Sequence, residues 1–412
     1  MLFGVGSATQ GILRGLKSSG IKISTYLTRD YAHLGPSLEG ETFSYKTHPN
    51  PCKLLVENKI DFVIPVSIDW FMTDWKDEFL SLNIPILSPT GEAMLLERDR
   101  YFAYKLCQKY NIPCPKSYFA RNQEEAEKIL LEHPLPYVIK NPLCSPFAPI
   151  KAIVCESAEE TKSWLPYVNY KEGIFLQEYM GRREVGHVAL ISNGEIYSLI
   201  TNQEYKYAYD GNMGIVAGAQ LGGLVEKDPD DKYGLAKALL HPLLPWFRES
   251  NFYGPVQVTA ALHNGKWKVL EYNVRLGVLC GPIIVKMLKN SAEVLWNVAR
   301  NQKPVINMRE DINFGCSITL AGYGYPYTEI NGPRFPVTIK GDFTCDTLWS
   351  EVAKDKNGNL FTTGHRIADV VSTQSTLESA IKNAYENIRK IRCLGSYYRT
   401  DIGNSLWPPG NE

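Results

Sequence analysis

Residues 256–275, V-Q-V-T-A-A-L-H-N-G-K-W-K-V-L-E-Y-N-V-R, constrain this chain more than any other stretch. Asn264-Gly265 lies between two apolar-rich runs, and both residues tolerate the positive φ of a tight turn, so the stretch predicts a β-hairpin. The second strand ends in Glu271-Tyr272-Asn273. Side chains alternate along a strand, which puts Glu271 and Asn273 on one face and Tyr272 on the other. A carboxylate beside an amide oxygen, with Arg275 two residues on, can hold Mg²⁺ against a polyphosphate and add a fixed positive charge. An edge hairpin with a solvated acidic end fits the same residues, and the rest of the chain has to decide between the two.

At 412 residues the chain exceeds one core of ordinary size, so two to four domains are expected. Forty-four acidic residues balance forty-four basic ones, which gives no electrostatic case for nucleic acid or an anionic membrane surface. No apolar run approaches the ~20 residues that span a bilayer. The start, M-L-F-G-V-G-S, reads as a core strand and not as a signal peptide. Nine scattered cysteines with no C-x-x-C pair fit reduced, buried thiols in a cytoplasmic protein. Seven histidines show no H-x-x-x-H or His/Cys spacing, which speaks against a zinc site.

Taken in order, the chain opens with a strand over 2–5, a tight turn at Gly4-Val5-Gly6-Ser7, a helix over 10–18 and strands over 21–26 and 60–66. This is a β-α-β start to an α/β domain. Gly4, Gly6 and Asp30 partly fit a dinucleotide fingerprint, but Thr9 replaces its third glycine; helix capping or a phosphate cradle fits equally well. Thr90 reads as the cap of one helix through Leu95, Phe102, Leu106 and Tyr110, carrying Arg98 and Arg100 in its middle. Strands follow over 137–140, 151–154 and 174–179, with a helix over 158–165. Lys140 closes a strand, where a buried lysine calls for an anionic partner. Asn193-Gly194 marks a second hairpin. Residues 203–223 lack regular pattern, and their glycines suit close approach to a ligand or a linker. Helices are expected over 233–250, 282–300 and 377–391, with a separate α+β domain of turn-rich strands from 313 on.

This order of parts resembles the ATP-grasp superfamily, and within it the glycinamide ribonucleotide synthetase (phosphoribosylamine–glycine ligase) family. The resemblance runs nearly end to end. It rests on Leu96-Glu97, Lys140, Gln177-Glu178-Tyr179 with Glu184, Tyr205-Lys206 to Asp210-Gly211, Glu271-Tyr272-Asn273-x-Arg275, Thr363-Gly364-His365-Arg366 and Tyr398-Arg399-Thr400-Asp401-Ile402-Gly403. It implies an α/β and α+β multidomain chain with an ATP-grasp fold. A Rossmann-like pre-ATP-grasp domain would occupy 1–90, the ATP-grasp domain 91–308 with a lid subdomain at about 115–180, and a C-terminal α+β domain 309–412.

The resemblance also implies chemistry. ATP phosphorylates a substrate carboxylate, and an amine displaces phosphate to form an amide, with ATP and Mg²⁺ (or Mn²⁺) as cofactors. Arg100, Lys140, Gln177, Glu178, Tyr179, Glu184 and Lys206 are implied to bind the nucleotide. Glu271 and Asn273 are implied to bind the metal, and Arg275 and Lys151 to act in catalysis. Gly6, Ser7, Asp210, Gly218, Gln220 and Gly277 stand where the family meets its substrates.

Several of these positions depart from the family pattern. The N-terminal G-G-R-E-H-A run is Ser7-Ala8-Thr9-Gln10-Gly11-Ile12, and the lid loop 141–151 carries three prolines. The G-P-N-T-G-G-M-G tract is the more apolar 214–222, and Val278-Leu279-Cys280 follow Gly277 where the family continues with aspartate, proline and glutamate. The expectation is therefore a ligase with a rewritten acceptor site, a monomer or homodimer acting on a small carboxylate and a small amine. A genuine phosphoribosylamine–glycine ligase and a catalytically silent nucleotide-binding protein are the alternatives.

Overall fold

The computed structural model describes residues 1–145, 152–327 and 334–404. Its centre is an eight-stranded antiparallel sheet, and the hairpin of residues 256–275 forms one edge. From that edge the order runs Lys266–Asn273, Gly254–His263, Glu184–Ser192, Glu195–Tyr205, Gly222–Lys227, Phe314–Ala321, Arg366–Gln374 and Asp346–Trp349. Both expected tight turns form, with φ of 52° and 68° at Asn193 and Gly194 and of 51° and 70° at Asn264 and Gly265, the pair of positive values a two-residue hairpin turn needs.

Three four-stranded sheets surround this one. The parallel N-terminal sheet runs Glu41–Ser44, Ser24–Leu27, Leu2–Phe3, Ile64–Pro65. The sheet of the segment expected as a lid runs Ser117–Ala120, Ile174–Glu178, Tyr137–Lys140, Ile153–Val154 and has its own apolar core around Ala126, Tyr137, Ile139 and Leu176. The third combines Val352–Lys354, Leu360–Thr362, Pro336–Ile339 and Ile391–Cys393. Strands from the C-terminal stretch therefore form a sheet of their own and also extend the central one, because Phe314–Ala321 pairs directly with Gly222–Lys227.

Three expected helices are broken, each for a local reason. The helix expected from Thr90 stops at Arg98. Asp99 is extended, its backbone bridges to Leu143, and its side chain accepts the Tyr101 and Phe102 N–H groups at 2.9 and 3.0 Å, capping a new helix, Arg100–Lys109. Residues 233–250 divide into Leu235–Leu239, a 3₁₀ turn at His241–Leu243 and Leu244–Glu249; Pro242 and Pro245 cannot donate within a continuous helix. Residues 282–300 form Cys280–Met287 and Ser291–Ala299, parted where Leu288 turns extended to bridge Met308. The stretch 203–223 is more ordered than its glycines suggest, since Tyr207–Tyr209 and Met213–Val216 pair as a ribbon.

The N-terminal turn also differs from expectation: the helix starts at Gly6 and runs to Lys17. Gly6 has φ +68° and donates its N–H to Ala32 O at 2.8 Å. At Gly4 an added Cβ would lie 2.1 Å from Val66 Cγ2, so close strand packing accounts for this glycine without a dinucleotide.

Candidate active site

Because Glu184, Glu204 and Glu271 sit on neighbouring or nearby strands of one sheet, their side chains converge on a single point. Lys206 Nζ occupies it, 2.6 Å from Glu184 Oε2, 3.0 Å from Glu204 Oε2 and 2.9 Å from Glu271 Oε1. These carboxylates hold the Lys206 pKa above its ordinary value although burial opposes it. Lys206 in turn keeps the Glu271 carboxyl well below the usual range, with Lys140 and Arg100 adding to the effect. Three carboxylates around one ammonium bring charged, hard oxygen donors together. Glu271 and Asn273 also line the adjoining cleft. That donor set and charge suit Mg²⁺.

The cleft runs between the helix Arg100–Lys109, the lid strand Ile174–Glu178 and the hairpin strand Lys266–Asn273, with Arg100, Tyr104, Phe175, Gln177, Glu271 and Asn273 among its walls. Lys140 donates to Gln177 Oε1 at 2.8 Å, and Gln177 Nε2 donates to Leu270 O at 3.0 Å. Gln177 is thus a strut between the lid lysine and the hairpin. Burial lowers the Lys140 pKa to about 8, partly offset by Glu271 and reinforced by Arg100. Among the described residues, Arg100 Nε is buried with no hydrogen-bond partner. Arg275 Nε donates to Glu97 Oε1 at 3.2 Å, and Glu97 Oε2 accepts the Val274 N–H at 2.6 Å. Glu97 therefore anchors both the end of the hairpin and its arginine, and these charges keep Arg275 protonated despite burial. The Glu178 and Tyr179 N–H groups are committed to Lys116 O and Pro136 O at 2.8 and 2.9 Å, while the Tyr179 hydroxyl donates to Glu156 at 2.9 Å.

Comparison with known proteins adds the family. Residues 98–279 match the model described as "Phosphoribosylglycinamide synthetase, ATP-grasp (A) domain", and residues 315–405 match "Phosphoribosylglycinamide synthetase, C domain". The two matches together take in more than half of the chain. The chain belongs to the phosphoribosylglycinamide synthetase family. Family membership makes it an ATP-grasp ligase that forms carbon–nitrogen bonds, with ATP and Mg²⁺ as cofactors. A phosphoribosylamine–glycine ligase of Fusobacterium nucleatum is 26% identical over 388 residues, covering 89% of each chain. The solved phosphoribosylamine–glycine ligase of Thermotoga maritima superposes with a TM-score of 0.78 at 23% identity, over 97% of this chain and 98% of that one. The biotin carboxylase of Campylobacter jejuni, solved with an ATP analogue, reaches 0.70 at 13% identity over 98% and 96%. These two superpositions bear out the ATP-grasp fold.

The residues expected to meet substrate are scattered in sequence. Ser7 Oγ donates to Asp369 Oδ2, and Thr319 Oγ1 donates to Asp369 Oδ1. Arg366 Nη2 donates to both Asp369 oxygens at 3.1 and 3.2 Å. Gln220 O accepts from Thr319 at 3.3 Å. Gly277 packs where a Cβ would meet Cys280 Sγ at 2.4 Å, and Gly218 borders open space. Asp210 lies elsewhere in the network, accepting the Thr400 N–H at 2.8 Å and the Thr400 hydroxyl, and so fastens the closing motif. Lys151 lies outside the described residues. Sequence reasoning missed Glu204, Asp369 and the anchoring role of Glu97. For Glu204 a signal existed: it stands two residues before Lys206 on the strand side that Glu184 also faces.

Proposed function

We propose that this chain joins a carboxylate to an amine through an acyl phosphate, and that its acceptor is less charged than phosphoribosylamine. Bringing a carboxylate to a triphosphate of about −4 charge requires fixed cations in a dry site. Lys140 and Arg100 neutralise the phosphates, and Arg275, held by Glu97, faces the transferring group. Glu271 and Asn273 would hold Mg²⁺, with Glu204 and Glu184 beside them, and the metal would supply positive charge against the phosphates. Glu184 accepts the ribose hydroxyls. The carboxylate oxygen attacks the terminal phosphorus, ADP leaves, and the amine nitrogen then attacks the acyl carbon and expels phosphate. The amine must lose a proton in that step, and each phosphate released carries one oxygen of the original carboxylate.

The acceptor reading rests on one observation. The tract 214–222 turns its polar backbone toward the protein: Tyr325 Oη donates to Ala219 O at 3.1 Å and lies 3.3 Å from Ala219 N, and Ile215 N–H donates to Tyr327 Oη at 3.3 Å. Ala217 and Leu221 are buried beneath it. Groups committed in this way are not available to a phosphorylated sugar, whose charges would be desolvated unpaired. The second reading, phosphoribosylamine–glycine ligase, is favoured by the names of the relatives. A phosphate-release screen with paired carboxylates and amines separates the two. Turnover with a pair other than glycine and phosphoribosylamine supports the first, and efficient turnover confined to that pair establishes the second.

A further inference from the structure

The opposite face of the central sheet carries a second polar cluster that the nucleotide chemistry does not use. His187 pairs in register with Thr201, and Glu184 with Glu204. The offset is three residues on each strand, so His187 and Thr201 face away from the Lys206 site. His187 Nδ1 lies 3.8 Å from Asp228 Oδ2 and 3.8 Å from Asp231 Oδ1, and the three donor atoms fall within 4.8 Å of one another. The side chains are 0%, 3% and 13% exposed, in that order. Among the described residues neither carboxylate pairs with a lysine or arginine. Asp228 accepts the Lys232 N–H and the Thr201 hydroxyl, both at 2.7 Å, and Asp231 accepts the Ala236 and Lys237 N–H groups at 2.9 and 2.7 Å.

These hydrogen bonds orient the carboxylates without neutralising them. Two anions this close, taken out of water, need a cation. The imidazole lies between them and presents Nδ1 to both carboxylates. An imidazole nitrogen with its lone pair free is a zinc-class ligand. The outer ring nitrogen, Nε2, lies 2.9 Å from Ser198 Oγ, the kind of partner that fixes a ligating histidine by taking its other N–H. Nitrogen and oxygen donors about 2.1 Å from a tetrahedral ion stand about 3.4 Å apart, so each nitrogen–oxygen spacing of 3.8 Å has to close by about 0.4 Å, and the three donors already lie within 4.8 Å of one another. One nitrogen with two carboxylate oxygens favours a zinc-class ion over magnesium.

We infer that His187, Asp228 and Asp231 form a structural site for one zinc-class divalent ion, which fastens the segment 228–239 to the back of the sheet. Sequence spacing gave no hint of it, because the histidine lies on one strand and the aspartates in a distant connection. The competing arrangement is metal-free, with Nδ1–H donating to Thr201 Oγ1 across 3.0 Å.

The test compares the whole protein with His187→Gln and with Asp231→Asn, the latter lying at the rim and serving if the former fails to fold. After dialysis against metal-free buffer and titration with Zn²⁺ alone, wild type is expected to retain about one zinc per chain more than either variant. Zinc should raise its Tm by about 5 °C and leave the variants' Tm unmoved. X-ray absorption at the zinc edge should show a nitrogen/oxygen shell free of sulfur. Equal zinc in wild type and Asp231→Asn, no zinc-dependent Tm shift, or a sulfur shell from the cysteines would overturn the site.

Discussion

Around Lys206, three carboxylates arrive from strands that are close in the sheet, and the hairpin supplies Glu271 and Asn273 from one short run. Around Asp369, the partners come from far apart in the chain: Ser7 is 362 residues away and Thr319 is 50. The first centre gathers three carboxylates around one ammonium and stands beside a cleft. In the second, one carboxylate is satisfied by two hydroxyls and a guanidinium, all within the protein. The contrast teaches that the centre beside the cleft gathers carboxylates at an opening, while the one around Asp369 spends its polar groups within the protein.

The largest expected effect comes from striking the open side. Glu271→Gln removes a charged oxygen ligand and should lower kcat about a thousandfold, with a much smaller change in nucleotide affinity measured by titration calorimetry. Equal losses in both would make Glu271 a binding residue and blur the contrast. Next, Glu97→Gln leaves Arg275 without its anion and weakens the Val274 anchor. A loss of about 2–3 kcal/mol in unfolding free energy is expected, read by denaturant melts, together with reduced turnover.

Lys140→Ala should weaken ATP binding about 30-fold, roughly 2 kcal/mol for a desolvated charge-assisted contact. A pH series sharpens this. The Lys140 pKa in the free protein is lowered to about 8, so the binding-competent ammonium is present below that value and lost above it. ATP affinity should fall as pH rises through 8, with proton uptake on binding above it, and Lys140→Arg should flatten the profile. The smallest effect belongs to the other centre. Ser7→Ala leaves Thr319 and Arg366 on Asp369 and should cost about 1 kcal/mol, seen in KM for the acceptor with ATP affinity unchanged. A larger effect on ATP than on acceptor would join the two regions into one.

The same contrast explains what could be read from the chain beforehand. The hairpin, the strand ending at Lys140 and the Gln177-Glu178-Tyr179 corner are local patterns, in which periodicity and a two-residue turn place side chains without knowledge of the fold. Glu97 looked like part of a uniform helix, because the break at Asp99 depends on a backbone bridge to Leu143. Asp369 could not be read at all, since a lone aspartate in an apolar strand gives no sign that Ser7 will lie against it. Asp210, expected to meet substrate, ties down Thr400 through contacts 190 residues apart, a role no local pattern announces.

The measurement that bears most directly on acyl-phosphate formation is oxygen transfer. With the turnover-competent carboxylate labelled with ¹⁸O, ATP and the amine are added and the released phosphate is analysed by mass spectrometry. The account predicts one labelled oxygen in each phosphate, with none released when either the carboxylate or the amine is left out. Unlabelled phosphate, or ATP hydrolysis indifferent to both substrates, would contradict it.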